Sequence, residues 1–166
     1  VQAVGLMEPA REVGGDFYDS FTVSEDAVCF FIGDVSDKGT ASALFMSRTV
    51  SLVRFAAIQL ARTTGAVPHP SDVLAQVNEE LCKNNSTRMF VTLFLCILDT
   101  NSGEVTFANA GHTSPMLSSD EMVTDIASEM PDLPLGVRAH AVYKTRSRSL
   151  GAGDRLVLYT DGVTEA

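Results

Sequence analysis

Three aspartates sit where an apolar run meets glycine: Asp16 in "GGDFYD", Asp34 in "FFIGDVSDKG" and Asp161 in "RLVLYTDG". Aspartate is a poor strand residue and costly to bury unpaired, while a neighbouring glycine lets another group approach closely. Singly, each is ordinary turn chemistry. Together they mean more. If the strand ends converge, carboxylates about 4 Å apart repel by about 4 kcal/mol per pair at an effective dielectric of 20. Three pairs cost on the order of 12 kcal/mol, against a domain stability of about 5–15 kcal/mol. Such a cluster needs protons or a cation. Oxygen donors without a matching His or Cys set select hard ions, Mg2+ or Mn2+. Asp16 and Asp19 would face opposite sides of an extended strand. Asp16, nearer the glycines, is the expected ligand, and Asp19 is left to support it from behind or to cap a turn.

Other chemistry is weaker. "CKNNSTR" spaces Cys82 and Arg88 as cysteine-dependent phosphatases do, but those loops follow a strand and carry glycines whose amides bind phosphate. Cys82 instead ends an amphipathic helical pattern, and the segment has no Gly. "YTDGVT" has Tyr159 and Val163 where an aspartyl-phosphate hydrolase needs a second acid. "GGDF" also occurs in cyclic-dinucleotide synthases, whose remaining pattern is missing. Lys38 reads as a solvated turn lysine beside Asp34, and Arg48 and Arg54 as side chains snorkelling from a helix.

The elements that must position these acids follow from pattern. "VQAVGLM" alternates weakly and reads as an opening strand. "AVCFFIGDV" is a continuous apolar run, as expected of a buried strand. The segment from Lys38 to Arg62 is small or apolar around most of its circumference and reads as a helix packed on more than one side. After the break at "AVPHP", "SDVLAQVNEELCKN" restarts helix, with Ser71 as N-cap and Asp72 in the first turn. "MFVTLFLCILDT" and "GEVTFANAG" flank "NSG", a hairpin signature. "PMLSS" and "MVTDI" are expected to pair similarly. "HAVYKTRSRSL" alternates, and "DRLVLYTDG" reads as another buried strand ending in an acid. Two consecutive helices among many strands disfavour a parallel doubly wound sheet. They favour antiparallel sheets with helices on their outer faces, an α+β fold.

The 166 residues allow one domain, residues 1–166, with a sizeable core. The longest strongly apolar uncharged run, Met89 to Leu98, is too short to span a bilayer. Arg48 and Arg54 interrupt the longer helical stretch, so direct membrane insertion is not expected. Three cysteines, Cys29, Cys82 and Cys96, have no metal-ligand spacing and fit a reducing cytoplasm. The net charge of −9, from 12 basic and 21 acidic residues, repels phosphate backbones and argues against nucleic acid as a partner. The chain begins at Val1 without a Met and reads as a piece of a longer protein.

The segments "EVGGDFYDSF", "FFIGDVSDKGTASALFMS", "FVTLFLCILDTNSGEVTFANAGHTSPML", "PLGV" and "GDRLVLYTDGVTEA" resemble, in order, the motifs of the bacterial metal-dependent serine/threonine phosphatases. The branch is the one similar to sporulation stage II protein E, related to type 2C phosphatases. The resemblance covers nearly the whole chain. It implies an αββα sandwich of two mainly antiparallel sheets flanked by helices, with a two-metal Mn2+ or Mg2+ site at one end. By position it makes Asp16, Asp34 and Asp161 the catalytic metal ligands, with the main-chain carbonyl of Val35. It implies hydrolysis of phosphoserine or phosphothreonine by metal-activated water, without a protein nucleophile. The implied substrate is a phosphorylated anti-sigma-factor antagonist in a partner-switching pathway. An upstream sensor or receiver domain is also implied, and homodimerisation stays open. The family pattern continues past "TDGVTEA" to a further acidic strand carrying another ligand, so the chain is expected to lack part of its second metal site. "GDVSDKG" has Asp37 where glycine is common, and "GHTSP" places His112 in a turn as a structural residue or an aid to proton transfer. The competing reading is a catalytically inactive phosphatase-like module that binds a phosphoprotein or metal.

Overall fold

The computed structural model describes residues 2–7, 14–83, 85–119, 122–127 and 130–163. Strands β1 (Asp16–Ser24) and β2 (Ala27–Val35) form the first hairpin, followed by helices α1 (Thr40–Thr64) and α2 (Pro70–Cys82). Strands β3 (Val91–Asp99), β4 (Glu104–Ala110), β5 (Met116–Ser119), β6 (Met122–Asp125), β7 (Arg146–Ser149) and β8 (Arg155–Val157) come next, then a 3-10 turn, Asp161–Val163. They build two antiparallel sheets, ordered β1-β2-β3-β4-β7 and β6-β5-β8.

Side-chain alternation explains the layers. In β2, Cys29, Phe31 and Val35 join the core beneath the helices, while Phe30 and Ile32 face the second sheet. In β3, Val91, Leu93, Leu95 and Ile97 point to the helices and Phe94, Cys96 and Leu98 to the other side. Phe94 stacks on Phe107 at 5.4 Å between ring centroids, and Leu117 and Leu156 of the second sheet close over that cluster. A strand buried on both faces must be apolar throughout, which is why "VTLFLCIL" reads as an unbroken run. Both helices lie on the five-stranded sheet, α1 against β1 and β2, α2 against β3 and β4.

Helix α1 is long and apolar enough to span a membrane by composition. Its Phe45, Val53, Ala56 and Ala57 are instead buried in the core, and its flank packs on α2. Leu44 and Phe55 remain exposed. The two α1 arginines do more than snorkel. Arg48 Nη2 donates to the Glu80 and Lys83 carbonyls and so caps the C-terminus of α2. Arg54 forms a fork with Asp19, Nε to Oδ2 at 2.5 Å and Nη2 to Oδ1 at 2.7 Å, and lies 4.7 Å over the Phe21 ring. Because the Arg54 side chain is 44% exposed, its contribution is modest. Arg54→Ala is expected to lower stability by about 1 kcal/mol in urea titration, and less in high salt. An unchanged midpoint would mean that the fork does not pin α1 to β1.

Four sequence expectations change. Residues 2–7 form no strand and are exposed. The N-cap of α2 is His69, not Ser71, because Pro70 takes the first helical position, where its fixed φ and missing N–H cost nothing. The Ser71 N–H instead donates to Thr145 Oγ1 at 3.0 Å. From "HAVYKTRSRSL" only Arg146–Ser149 is strand; Tyr143 turns into the helix-side core, and the Lys144 N–H donates to Asp132 Oδ2 at 2.9 Å. The buried strand read in "DRLVLYTDG" shrinks to Arg155–Val157, partly exposed at a sheet edge, because the chain leaves the ladder before Asp161.

Candidate active site

Asp16 opens β1 and Asp34 is the penultimate residue of β2, and the register sets them directly opposite each other. Alternation puts both on the face toward the second sheet. Phe17, next to Asp16, points into the helix-side core. Its partner across the ladder is Gly33, where an added Cβ would lie 2.7 Å from the Phe17 ring. Asp19 falls on the helix side with Arg54, so it neither supports Asp16 nor caps a helix. Asp161 arrives from the other sheet, in the 3-10 turn beyond β8. The three residues offer carboxylate oxygens that all lie within 4.8 Å of one another. Asp16 and Asp34 are half-buried and Asp161 is exposed.

Two hydroxyls that pattern reading passed over hold the turn in place. Thr160 Oγ1 donates to Asp16 Oδ2 at 2.9 Å, and Thr113 Oγ1 donates to the Tyr159 carbonyl. The one available signal was position: each hydroxyl adjoins a residue already singled out, Asp161 or His112.

Asp34 sits against like charge. Burial, then the charges of Asp16 and Asp161 and a hydrogen bond with Asp16, push the Asp34 carboxyl up to about 6, against a pull from the Val35 N–H. Among the described residues no Lys or Arg forms an ion pair with Asp16 or Asp34. Gly15 adds a cradle: a Cβ there would sit 2.6 Å from both Asp34 Oδ1 and the Val35 carbonyl oxygen. A carboxylate and a carbonyl thus converge on one space with two more carboxylates nearby. This oxygen-only set fits a hard divalent cation, Mg2+ or Mn2+.

The remaining candidates lie outside this cluster or behind it. Asp37 and Lys38 are exposed in the turn before α1. Asp37 has φ 79, the left-handed region that glycine enters without strain, which explains why glycine suits this turn. Asp37→Gly is expected to leave activity unchanged and to shift thermal stability by less than about 1 kcal/mol, upward if strain relief outweighs the added chain entropy. His112 is buried behind the acids, its Nδ1 3.0 Å from Thr92 Oγ1. Burial pushes its pKa down, with the Tyr159 carbonyl, Asp16 and Asp161 pulling it back up. Cys82 ends α2 with its thiol 3.7 Å from Asn78 Oδ1. Burial pushes the Cys82 thiol up, the opposite of what a cysteine nucleophile needs.

The family profile described as Stage II sporulation protein E (SpoIIE) matches residues 24–166. Phosphoserine phosphatase RsbU of Bacillus subtilis is 33% identical over 157 residues, a match covering 95% of this chain and 44% of RsbU. Protein IcfG of Synechocystis is 29% identical, covering 99% of this chain and 29% of IcfG. The chain therefore spans less than half the length of the curated relatives it matches. Among solved structures, the RsbU and RsbW domains of Rv1364c from Mycobacterium tuberculosis superpose with a TM-score of 0.72 at 26% identity, covering 93% of this chain and 41% of that one. The PP2C phosphatase domain of SpoIIE from Bacillus subtilis superposes with a TM-score of 0.74 over 91% of this chain and 42% of that one; at 21% identity it establishes the fold alone. With the profile covering most of its length and an antiparallel two-sheet sandwich of the PP2C type, this chain belongs to the Stage II sporulation protein E family.

Proposed function

We propose that the chain is a metal-dependent serine/threonine protein phosphatase domain, with Asp16, Asp34, Asp161 and the Val35 carbonyl as the ligands of a two-metal site. The observation that carries this reading is the meeting of three aspartates from two sheets, with no cationic side chain among the described residues paired to Asp16 or Asp34. When bound, Mn2+ or Mg2+ would supply water activation and neutralise charge on the phosphoryl group. The chain's own residues set the geometry. Asp34 and Asp16 are held by strand register, Asp16 is further oriented by Thr160, and Gly15 leaves the space open. No thiol competes as nucleophile, because Cys29 and Cys96 are fully buried and the Cys82 thiol is pushed up.

The similarity to phosphoserine phosphatases RsbU and RsbP supports a phosphoserine or phosphothreonine protein as substrate, with a phosphorylated anti-sigma-factor antagonist in a cytoplasmic partner-switching pathway as the specific proposal. An upstream sensor or receiver domain fits the larger size of those relatives. The test is phosphate release from a phosphoserine protein by the protein in its full natural length. Turnover is expected with Mn2+ and lost in EDTA. Metal-independent turnover abolished by Cys82→Ser would replace this reading with a cysteine mechanism. Mn2+ binding without turnover would make the domain a binding module.

A further inference from the structure

We propose that His112 is a positioning residue that, through Thr92, sets the spacing between the Asp34 strand and the turn carrying Asp161. The inference rests on the metal-site reading above.

His112 follows β4 and precedes β5, at the crossing from one sheet to the other. Its main chain is locked at both ends: its N–H donates to Asn109 Oδ1 at 2.8 Å, and its carbonyl accepts from Asn109 Nδ2 at 3.0 Å. Asn109 is itself buried at 2% exposure, so the imidazole stands on a rigid base. On the five-stranded sheet, Thr92 pairs directly with Asp34, and its Oγ1 lies 3.0 Å from His112 Nδ1 and 3.4 Å from the Asp34 carbonyl oxygen. Toward the other sheet, the next residue, Thr113, holds the Tyr159 carbonyl, two residues before Asp161. His112 is 6% exposed, and its Nε2 is buried with no hydrogen bond of good geometry, although the Tyr159 carbonyl acts on the ring. A buried polar atom of this kind is costly, and a site that acts on charge is where such a cost is retained. Through the His112 ring to Thr92 and the adjoining Thr113 hydroxyl to Tyr159, this segment joins the half-site carrying Asp16 and Asp34 to the half-site carrying Asp161. Groups that orient metal ligands from behind typically change metal affinity by 10–100-fold when removed.

The test is Mn2+ affinity by titration calorimetry, with metal-free thermal stability measured alongside. His112→Ala and Thr92→Val are each expected to weaken Mn2+ binding by about 10–100-fold. The double variant should be no weaker than the worse single one, because both remove one connection. Thr92→Ser, which restores the hydroxyl, and His112→Asn, whose amide reaches the Nδ1 position, should bind close to the parent. His112→Gln, whose amide reaches Nε2 instead, should not recover. If His112→Ala does not fold, the Thr92→Val and Thr92→Ser pair decides. Parent-like Mn2+ affinity in Thr92→Val and His112→Ala, or losses that add in the double variant, would overturn the inference while leaving the phosphatase reading standing. A parent protein that binds no Mn2+ would overturn that reading, and this inference with it.

Discussion

Asp34→Asn is expected to reduce metal-dependent phosphatase turnover by at least 10²–10³-fold while making the metal-free protein more stable. The two effects have one cause. The Asp34 carboxyl faces Asp16 across the ladder and Asp161 from the other sheet, and burial with those charges raises it from 3.8 to about 6. In the folded, metal-free state Asp34 therefore keeps its proton to a higher pH than in the unfolded chain. Its stabilising contribution is whole below pH 3.8 and is lost as the pH rises through about 6. Urea midpoints in EDTA should fall between pH 4.5 and 7.5 for the parent, by about 1 kcal/mol once solvent screening of a half-exposed group is allowed for. Asp34→Asn should flatten that segment of the profile. Saturating Mn2+ reverses the balance in the parent alone, adding about 2.7 kcal/mol at a hundredfold excess over Kd. Retained turnover in Asp34→Asn, or a metal-free midpoint that drops relative to the parent at pH 7.5, would remove the cation from the account of this site.

Gly15→Ala should damage both stability and activity, although the residue carries no functional group. The new methyl would sit 2.6 Å from Asp34 Oδ1 and 2.6 Å from the Val35 carbonyl oxygen. The carboxylate can rotate away, but then it leaves the cluster. The carbonyl belongs to β2, held between β1 and β3, and the Val35 N–H already donates to the Gly15 carbonyl at 3.2 Å. Relief must come from shifting one strand end against the other. A loss of about 1–3 kcal/mol is expected, as for overpacking elsewhere, together with a loss of activity on the order of 10²-fold, because displacements near 1 Å at a reacting site have that effect. Thermal melts and turnover measured together are the check. If Gly15→Ala melts and turns over like the parent, the space beside Asp34 and Val35 is not needed.

Much of the frame is legible in local pattern, because local pattern reports what each side chain must bury. The runs "AVCFFIGDV" and "VTLFLCIL" lie at the centre of the five-stranded sheet, covered on both faces, and their unbroken apolarity says so. The stripe Val73, Leu74, Val77 and Leu81 is buried on α2. The hairpin around "NSG" forms as its turn residues require. Errors fell where the local signal did not decide the outcome. Residues 2–7 alternate yet form no strand, and Ser71 bonds Thr145 rather than capping α2.

By itself, the order of residues determined that acids would sit where apolar runs meet glycine, that the sheets would be antiparallel, and that hard cations would suit oxygen donors without a His or Cys set. Tertiary structure decided which acids meet. Asp16 and Asp34 face each other because the β1–β2 register pairs them, whereas Asp19, three residues on, turns to the helices and finds Arg54. Asp161 joins only because the second sheet packs across the first and Thr160 ties its turn to Asp16. Periodicity within a segment carries no information on register between strands or on how two sheets face each other. Both are set by burying two apolar faces at once, and that requirement brings like charges together where a cation can hold them.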